Sequence, residues 1–302
     1  MSIIEHNNID ANQKMLKAIK KMHALVESED IEKQRAAQEN FGGILSKSRD
    51  LEYKNFEIDG IPCEWSCVKR SHMKKHVILY CHGGGYTSGS FRYARSITNK
   101  LANSTSMDVI SFDYRLAPEN PYPAALEDAL NVWDHLMQYG YGARDIILAG
   151  DSAGGNLALT LALKLKEQNR LLPRGLVLLS PWVDFTMSGK SHKEKVDVDP
   201  ILTEEYLRRS IQWFAGDMDV KDPYLSPVYA DFTGFPPTYI QVGTNEILLS
   251  DSHKLQRQMQ KYHVPVKMEY YPGMWHVFQM SPLKTAYRAM DQVAEFVFDI
   301  CR

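Results

Sequence analysis

The stretch DIILAGDSAGGNLALTLALKLKEQ (residues 145–168) places a serine, Ser152, where the pattern of apolar residues changes. Its opening apolar run predicts a buried strand, and its later part, from Asn156 on, has the wide apolar face of a helix. Gly150 and Gly154 flank the serine, and because glycine lacks a β-carbon they let strand and helix approach closely at a sharp turn. A serine on such a turn is a candidate nucleophile, since the amino end of the following helix favours developing negative charge.

A second glycine-rich segment, His82-Gly83-Gly84-Gly85, directly follows the apolar run of residues 77–81. Glycines at the end of a strand leave backbone N–H groups without side chains over them, so these groups can donate to a developing oxyanion. We therefore expect Gly83 and Gly84 to form an oxyanion hole together with Ala153, the residue after the candidate nucleophile.

Five motifs follow one another along the chain: HGGG at 82–85, YRLAPE at 114–119, GDSAGG at 150–155, DPYLSP at 222–227 and WHVF at 275–278. Through these motifs the chain resembles the hormone-sensitive-lipase-like family of α/β-hydrolases. The resemblance implies a carboxylesterase of the bacterial type that hydrolyses esters with small or medium acyl groups. It also implies a cap domain over the site.

A serine nucleophile needs a general base, and His276 is the one histidine of ten that lies where this fold requires the base. It lies in the loop after the strand predicted over residues 266–271. Its place late in the chain matches the order serine, acid, histidine of α/β-hydrolases. We therefore predict that His276 takes the proton from Ser152.

Three carboxylates are candidates for the acid that orients this histidine: Glu246, Asp251 and, as a third option, Asp184 after the preceding strand. Glu246 lies just past the strand predicted over residues 238–243, where a loop side chain can reach the imidazole. It also aligns with the acid of the family, which is usually Asp, so the chain departs from the family pattern here. Asp251 is the alternative, although an acidic residue at the start of a helix is also favoured merely as a cap. Glu246 is the preferred acid, and the choice stays open.

The alternation of predicted strands and helices indicates the α/β class. We expect a mostly parallel central sheet covered by helices on both faces, because parallel strands are joined by crossover helices. The catalytic core is predicted in two parts, residues 48–184 and residues 222–302.

Two segments outside this core are predicted to form a helical cap. Residues 1–47 contain helical patterns over 10–26 and 29–46, and the insertion of residues 185–221 contains one over 203–214. The resemblance favours the interpretation of these two segments as a cap, since members of the family have their caps at these positions.

Composition narrows the possible partners and location. The 302 residues are 44% hydrophobic, enough for one sizeable core, and the formal net charge of −2 gives no reason to expect nucleic-acid binding. No segment approaches the ~18 uninterrupted apolar residues of a membrane span. The N-terminus lacks the apolar region of a signal peptide, and Cys63 and Cys67 are expected to be thiols, so a cytoplasmic location is predicted.

The residues together predict a serine carboxylesterase that works through an acyl-enzyme on a small-molecule ester. No metal or organic cofactor is expected, and a homodimer is left open. Two other functions also stay open: an amidase or deacetylase with the same triad, and a receptor on this fold that binds a small ligand without chemistry.

Overall fold

The computed structural model describes residues 16–17, 20, 30–44, 48–70 and 75–302. These residues form a fold built around one eight-stranded sheet. The strands are β1 (Leu51–Ile58), β2 (Ile61–Val68), β3 (Val77–Cys81), β4 (Asp108–Phe112), β5 (Ile146–Asp151), β6 (Gly175–Leu179), β7 (Thr238–Gly243) and β8 (Val266–Tyr271). Their order in the sheet is β1-β2-β4-β3-β5-β6-β7-β8. The β1–β2 and β2–β4 pairs are antiparallel and all others are parallel. The expected α/β class with a mostly parallel sheet is therefore confirmed.

Helices cover both faces of this sheet. They are α1 (Ile31–Ile44), α2 (Phe91–Thr105), α3 (Ala124–Gln138), α4 (Ala153–Glu167), α5 (Ser191–Glu194), α6 (Glu204–Ala215), α7 (Leu249–Lys261) and α8 (Lys284–Cys301). Alternate residues of β3 belong to two cores: Leu79 shares one with residues of α3, α4 and α7, whereas Ile78 shares the other with residues of α2 and α8. The central parallel strands are thus buried on both faces, which explains their continuous apolar runs.

Two helix predictions need comment. The predicted helix over residues 10–26 lies largely outside the described residues, whereas the one over 29–46 corresponds to α1. Helix α2 was not predicted from the sequence. Its segment is rich in Ser, Asn and Thr, which have low helix propensity, but Ile97 and Leu101 are fully buried against the sheet.

The insertion between β6 and β7 and helix α1 both reach the glycine-rich loop that follows β3. From α6, the ring of Phe214 stacks on that of Tyr86 with centroids 3.7 Å apart. From α1, Arg35 Nε donates to the carbonyl of Thr87 at 2.9 Å. Helices α1 and α6 therefore contact the same loop at the carboxyl edge of the sheet.

Candidate active site

Ser152 lies at the turn between β5 and α4, where the sequence predicts it. Its backbone angles, φ 53° and ψ −121°, are outside the regions that L-residues ordinarily occupy. Hydrogen bonds hold this backbone on both sides, because its N–H donates to Leu179 O at 2.9 Å and its carbonyl accepts from Trp182 N–H at 3.0 Å. Strained backbone that the surroundings over-determine in this way is typical of functional sites.

The glycines around Ser152 are required by close approaches of the backbone. A β-carbon at Gly150 would lie 2.3 Å from the carbonyl oxygen of Gly154, and one at Gly154 would lie 2.1 Å from that of Cys81. No side chain fits at either position. The turn can therefore bring the serine to the end of β3, where the glycine-rich loop begins.

His276 and Glu246 form a buried pair. The Nδ1 atom of His276 lies 3.1 Å from Oε2 of Glu246, and the carboxylate is fully buried. An ionised carboxylate only accepts, so Nδ1 carries the proton and Nε2 has its lone pair available. The other oxygen of Glu246 accepts from Gly243 N–H and, at 2.9 Å, from the hydroxyl of Ser180.

Ser180 links the loops that carry the acid and the histidine. Its hydroxyl donates to Glu246 and accepts from the N–H of Val277 at 3.2 Å. Sequence reasoning missed this residue. The one signal that could have found it is its place directly after β6, at the same edge of the sheet as Ser152.

Asp251, the alternative acid, has a different partner. Its Oδ1 lies 2.8 Å from Nε2 of His192, and its Oδ2 accepts from the N–H groups of Val183 and Asp184. Asp251 is fully buried within the first turn of α7, and it braces the chain after β6. The interpretation of Asp251 as a simple helix cap was therefore wrong, because its oxygens are taken by residues outside the helix.

The first glycine of the oxyanion loop does not make the predicted contact. Gly83 N–H donates to Oδ1 of Asp151 at 2.9 Å, and a β-carbon at Gly83 would lie 2.2 Å from Oδ2 of that carboxylate. The Tyr80 hydroxyl donates to the same carboxylate at 2.6 Å, and burial raises the pKa of Asp151. The geometry thus contradicts the prediction that Gly83 is an oxyanion donor, because its N–H is already engaged.

The backbone N–H groups of Gly84, Gly85 and Ala153 have no acceptor among the described residues. Gly84 has φ 117° and Gly85 has φ 63°, left-handed angles that favour glycine. The N–H of Ala153 belongs to the first turn of α4, where such groups have no partner within the helix. These donors are available to a developing oxyanion.

His82 shapes the loop rather than acting as a base. Its Nδ1 lies 2.7 Å from the carbonyl oxygen of Gly83, and its ring stacks on Tyr114 with centroids 4.1 Å apart. Burial lowers the pKa of His82 to about 4, so the ring is neutral at pH 7.

Two further properties concern only the described part of the chain. No group of three His, Cys, Asp or Glu side chains there could hold a metal ion. None of its helices combines the length and apolarity needed to cross a bilayer.

Comparison with known proteins places the chain among esterases. Residues 78–280 match a family described as alpha/beta hydrolase fold. An esterase of Acinetobacter venetianus is 39% identical over 232 residues, 76% of this chain and 77% of its own length. An acetyl-hydrolase of Streptomyces hygroscopicus is 34% identical over 80% of this chain and 79% of its own length. The crystal structure of an esterase from the bacterial hormone-sensitive lipase family superposes with a TM-score of 0.90 at 32% identity, covering 95% of this chain and 96% of the other.

Proposed function

Since this chain belongs to the α/β-hydrolase fold family and is a carboxylic ester hydrolase of the bacterial hormone-sensitive lipase group, we propose that Ser152, His276 and Glu246 form its catalytic triad. The observation that carries the proposal is the buried His276–Glu246 pair at the same sheet edge as the strained turn of Ser152. A carboxylate on Nδ1 fixes the tautomer that a general base needs.

In the proposed reaction, His276 Nε2 takes the proton of Ser152 as the serine oxygen attacks the ester carbonyl. The N–H groups of Gly84, Gly85 and Ala153 stabilise the oxyanion, with Gly85 in the place first predicted for Gly83. His276 then protonates the leaving alcohol, and water releases the acid from the acyl-enzyme. One such donor typically contributes about 3 kcal/mol to transition-state stabilisation.

Gly83 keeps a supporting role in this proposal. Its bond to the buried Asp151 anchors the first residue of the loop, and the N–H groups of the next two glycines have no acceptor among the described residues. The positive φ angles of Gly84 and Gly85 support this arrangement, because a residue with a β-carbon would strain the turn.

The test of the nucleophile is Ser152→Ala. The variant removes only the hydroxyl, so we expect a folded protein whose kcat for p-nitrophenyl acetate falls by about 10⁶. Circular dichroism and the unfolding midpoint check that the fold is kept. Turnover close to that of the wild type would overturn the mechanism.

Ester hydrolysis is favoured over the two alternative functions, an amidase or deacetylase and a receptor without chemistry. A receptor needs no oriented base, whereas the described site has a histidine held by a buried carboxylate. The triad itself serves esters and amides alike. Comparing p-nitrophenyl butyrate with the matching p-nitroanilide separates the two activities, and faster anilide hydrolysis would make the protein an amidase.

We propose further that the substrate is a small ester with a short to medium acyl chain. Ser152 is only 7% exposed, and α1 and α6, the proposed cap helices, lie over the adjacent loop. The name of the acetyl-hydrolase relative agrees with a short acyl group. Each CH₂ that fits the pocket contributes up to about 0.8 kcal/mol, and this gain stops at the pocket wall.

We therefore predict that kcat/KM for p-nitrophenyl esters peaks between acetyl and about hexanoyl. An emulsified long-chain triglyceride should be a poor substrate, with no rise in activity when droplets form. Preferential turnover of the emulsion would contradict the enclosed pocket and indicate a lipase.

Location and assembly are proposed on separate observations. Cys63 and Cys81 are buried free thiols, which fits a reducing cytoplasm. The exposed apolar rings of Tyr270, on the edge strand β8, and of Tyr287 and Phe298, on α8, support a homodimer. Cell fractionation tests the first proposal. Light scattering of the purified protein tests the second, and the mass of a single chain would exclude the dimer.

A further inference from the structure

Asp199 is a buried carboxylate of the insertion that accepts three hydrogen bonds, one of them from beyond that segment. Its side chain is 2% exposed and lies between α5 and α6. Oδ1 accepts from the N–H groups of Ile201 and Leu202 at 2.9 and 3.0 Å. Oδ2 accepts from the N–H of Ile247 at 2.9 Å. The insertion is therefore fastened to the loop after β7.

This fastening acts next to the proposed triad acid, because Ile247 directly follows Glu246. A protonated His276 would also act on Asp199 and lower the pKa of that carboxyl, because opposite charges attract. The negative groups around this imidazole come from three elements: Glu246 by hydrogen bond, and Asp199 and Asp151 by charge. Burial raises the pKa of Asp199 to about 6, so it is ionised at pH 8.

We propose that Asp199 is a positioning residue: it holds the Glu246 loop in place and stabilises the protonated form of His276. The proposal rests on the proposed triad. An imidazolium forms when His276 takes the serine proton, and a buried negative charge nearby favours it. The insertion would then contribute to catalysis as well as cover the site.

Asparagine is the informative substitution at this position. It keeps the shape of the side chain but removes the charge and one of the two acceptor oxygens. An amide nitrogen would face either Ile247 N–H or the N–H groups of Ile201 and Leu202, so one contact must be lost. Asp199→Asn therefore removes both parts of the proposed role.

Asp251→Asn is the matched control. Asp251 is also a fully buried carboxylate that accepts backbone N–H groups, but its imidazole partner is His192. The two variants make the same chemical change in similar surroundings. A general loss of stability should affect both, whereas a change at His276 should follow Asp199 alone.

The experiment is an NMR titration of ¹³C-labelled histidine in the wild type, Asp199→Asn and Asp251→Asn. The His276 signal is assigned by its absence in His276→Gln. We expect Asp199→Asn to lower the pKa of His276 by at least about half a unit and Asp251→Asn to leave it unchanged. In ester hydrolysis, kcat should fall about tenfold with little change in KM, and the acid limb should move to lower pH.

An unchanged His276 pKa in Asp199→Asn would overturn the proposal, and so would an equal shift in Asp251→Asn. The titration needs no turnover, so it decides the matter even if Ser152→Ala refutes the mechanism. If Asp199→Asn does not fold, the reciprocal measurement uses the carboxyl ¹³C signal of Asp199. Its pKa should rise in His276→Gln, since the two charges are coupled, and an unchanged value would refute the interaction.

Discussion

Two buried imidazole–carboxylate hydrogen bonds occur in the part of the chain that the structure describes, and the shorter one does not belong to the proposed catalytic pair. His192 lies 2.8 Å from Asp251, whereas His276 lies 3.1 Å from Glu246. Both carboxylates are fully buried, and both accept backbone N–H groups with their second oxygen. Distance and burial alone would favour His192 and Asp251 over the proposed pair.

The two pairs differ in their position relative to the sheet. Glu246 and His276 follow the carboxyl ends of β7 and β8, the edge where Ser152 follows β5. Ligands of open parallel sheets bind outside this edge. His192 lies on the short helix α5 of the insertion, and its buried Nδ1 has no partner among the described residues. A histidine–carboxylate pair is therefore a candidate for catalysis because of the other groups at its edge of the sheet, here the serine that follows β5.

The largest expected difference between the pairs comes from removing each histidine. His276→Gln should lower kcat for p-nitrophenyl acetate by about 10⁶, because the general base is lost. His192→Gln should keep kcat within about threefold of the wild type, since a residue outside the reaction contributes only to folding. Steady-state kinetics on both folded variants measures the contrast.

The unfolding midpoint is the control for this comparison, because His192→Gln leaves the buried Asp251 without its imidazole. A loss of activity in His192→Gln at full folding would mean that the second pair supports the reaction. Equal losses in both variants would remove the distinction between the pairs.

Replacing the carboxylate of each pair should give the next largest difference between the two pairs. Glu246→Gln should lower kcat by roughly 10²–10⁴ with little change in KM, because His276 loses its orienting charge. Asp251→Asn should instead cost stability, about 2 kcal/mol, since a buried hydrogen-bonded group loses an acceptor. Kinetics and urea unfolding of both variants test this, and the reverse pattern would make Asp251 the acid.

The sequence favours Glu246 as the acid because this residue lies close to the end of a strand. Strand β7 ends at Gly243, and Glu246 comes only three residues later, so its carboxylate can turn back over the edge of the sheet. Asp251 lies one further turn along, in α7. The predicted bounds of β7 and β8 agree with the structure, because both are apolar or alternating runs bounded by turn residues.

Contacts between distant segments could not be read from the sequence. The bond between Gly83 and Asp151 joins residues far apart in sequence, and it decides which glycines keep an available N–H. Helix α2 depends on burial against the sheet rather than on its own propensity. Asp199 lies in an insertion, and its bond to Ile247 appears only once the chain has folded. Local patterns predict elements, whereas tertiary packing selects these contacts.

A further carboxylate lies near each pair, Asp199 near His276 and Asp184 beside Asp251. The pKa values of these two carboxylates are shifted in opposite directions. Burial raises the pKa of Asp199, near His276, to about 6. Burial is also the largest influence on Asp184, whose N–H donates to Asp251, but hydrogen bonds from Lys254, Thr186 and Ser188 together outweigh it and lower the pKa of Asp184. Of these two carboxylates, only Asp199 should therefore titrate in the folded protein between pH 5 and pH 7.

The smallest expected effect is a pH dependence of stability that follows from this difference. The raised pKa of Asp199 favours folding most below its unfolded value of 3.8, and that contribution is lost as the pH rises through about 6. Between pH 5 and pH 7 the wild type should therefore lose about 1 kcal/mol of unfolding free energy relative to Asp199→Asn. Asp184→Asn should show no such change, because the lowered pKa places its titration below pH 4. Urea unfolding at both pH values measures the two differences, and equal behaviour of the two variants would mean that the carboxylates beside the two pairs are electrostatically alike.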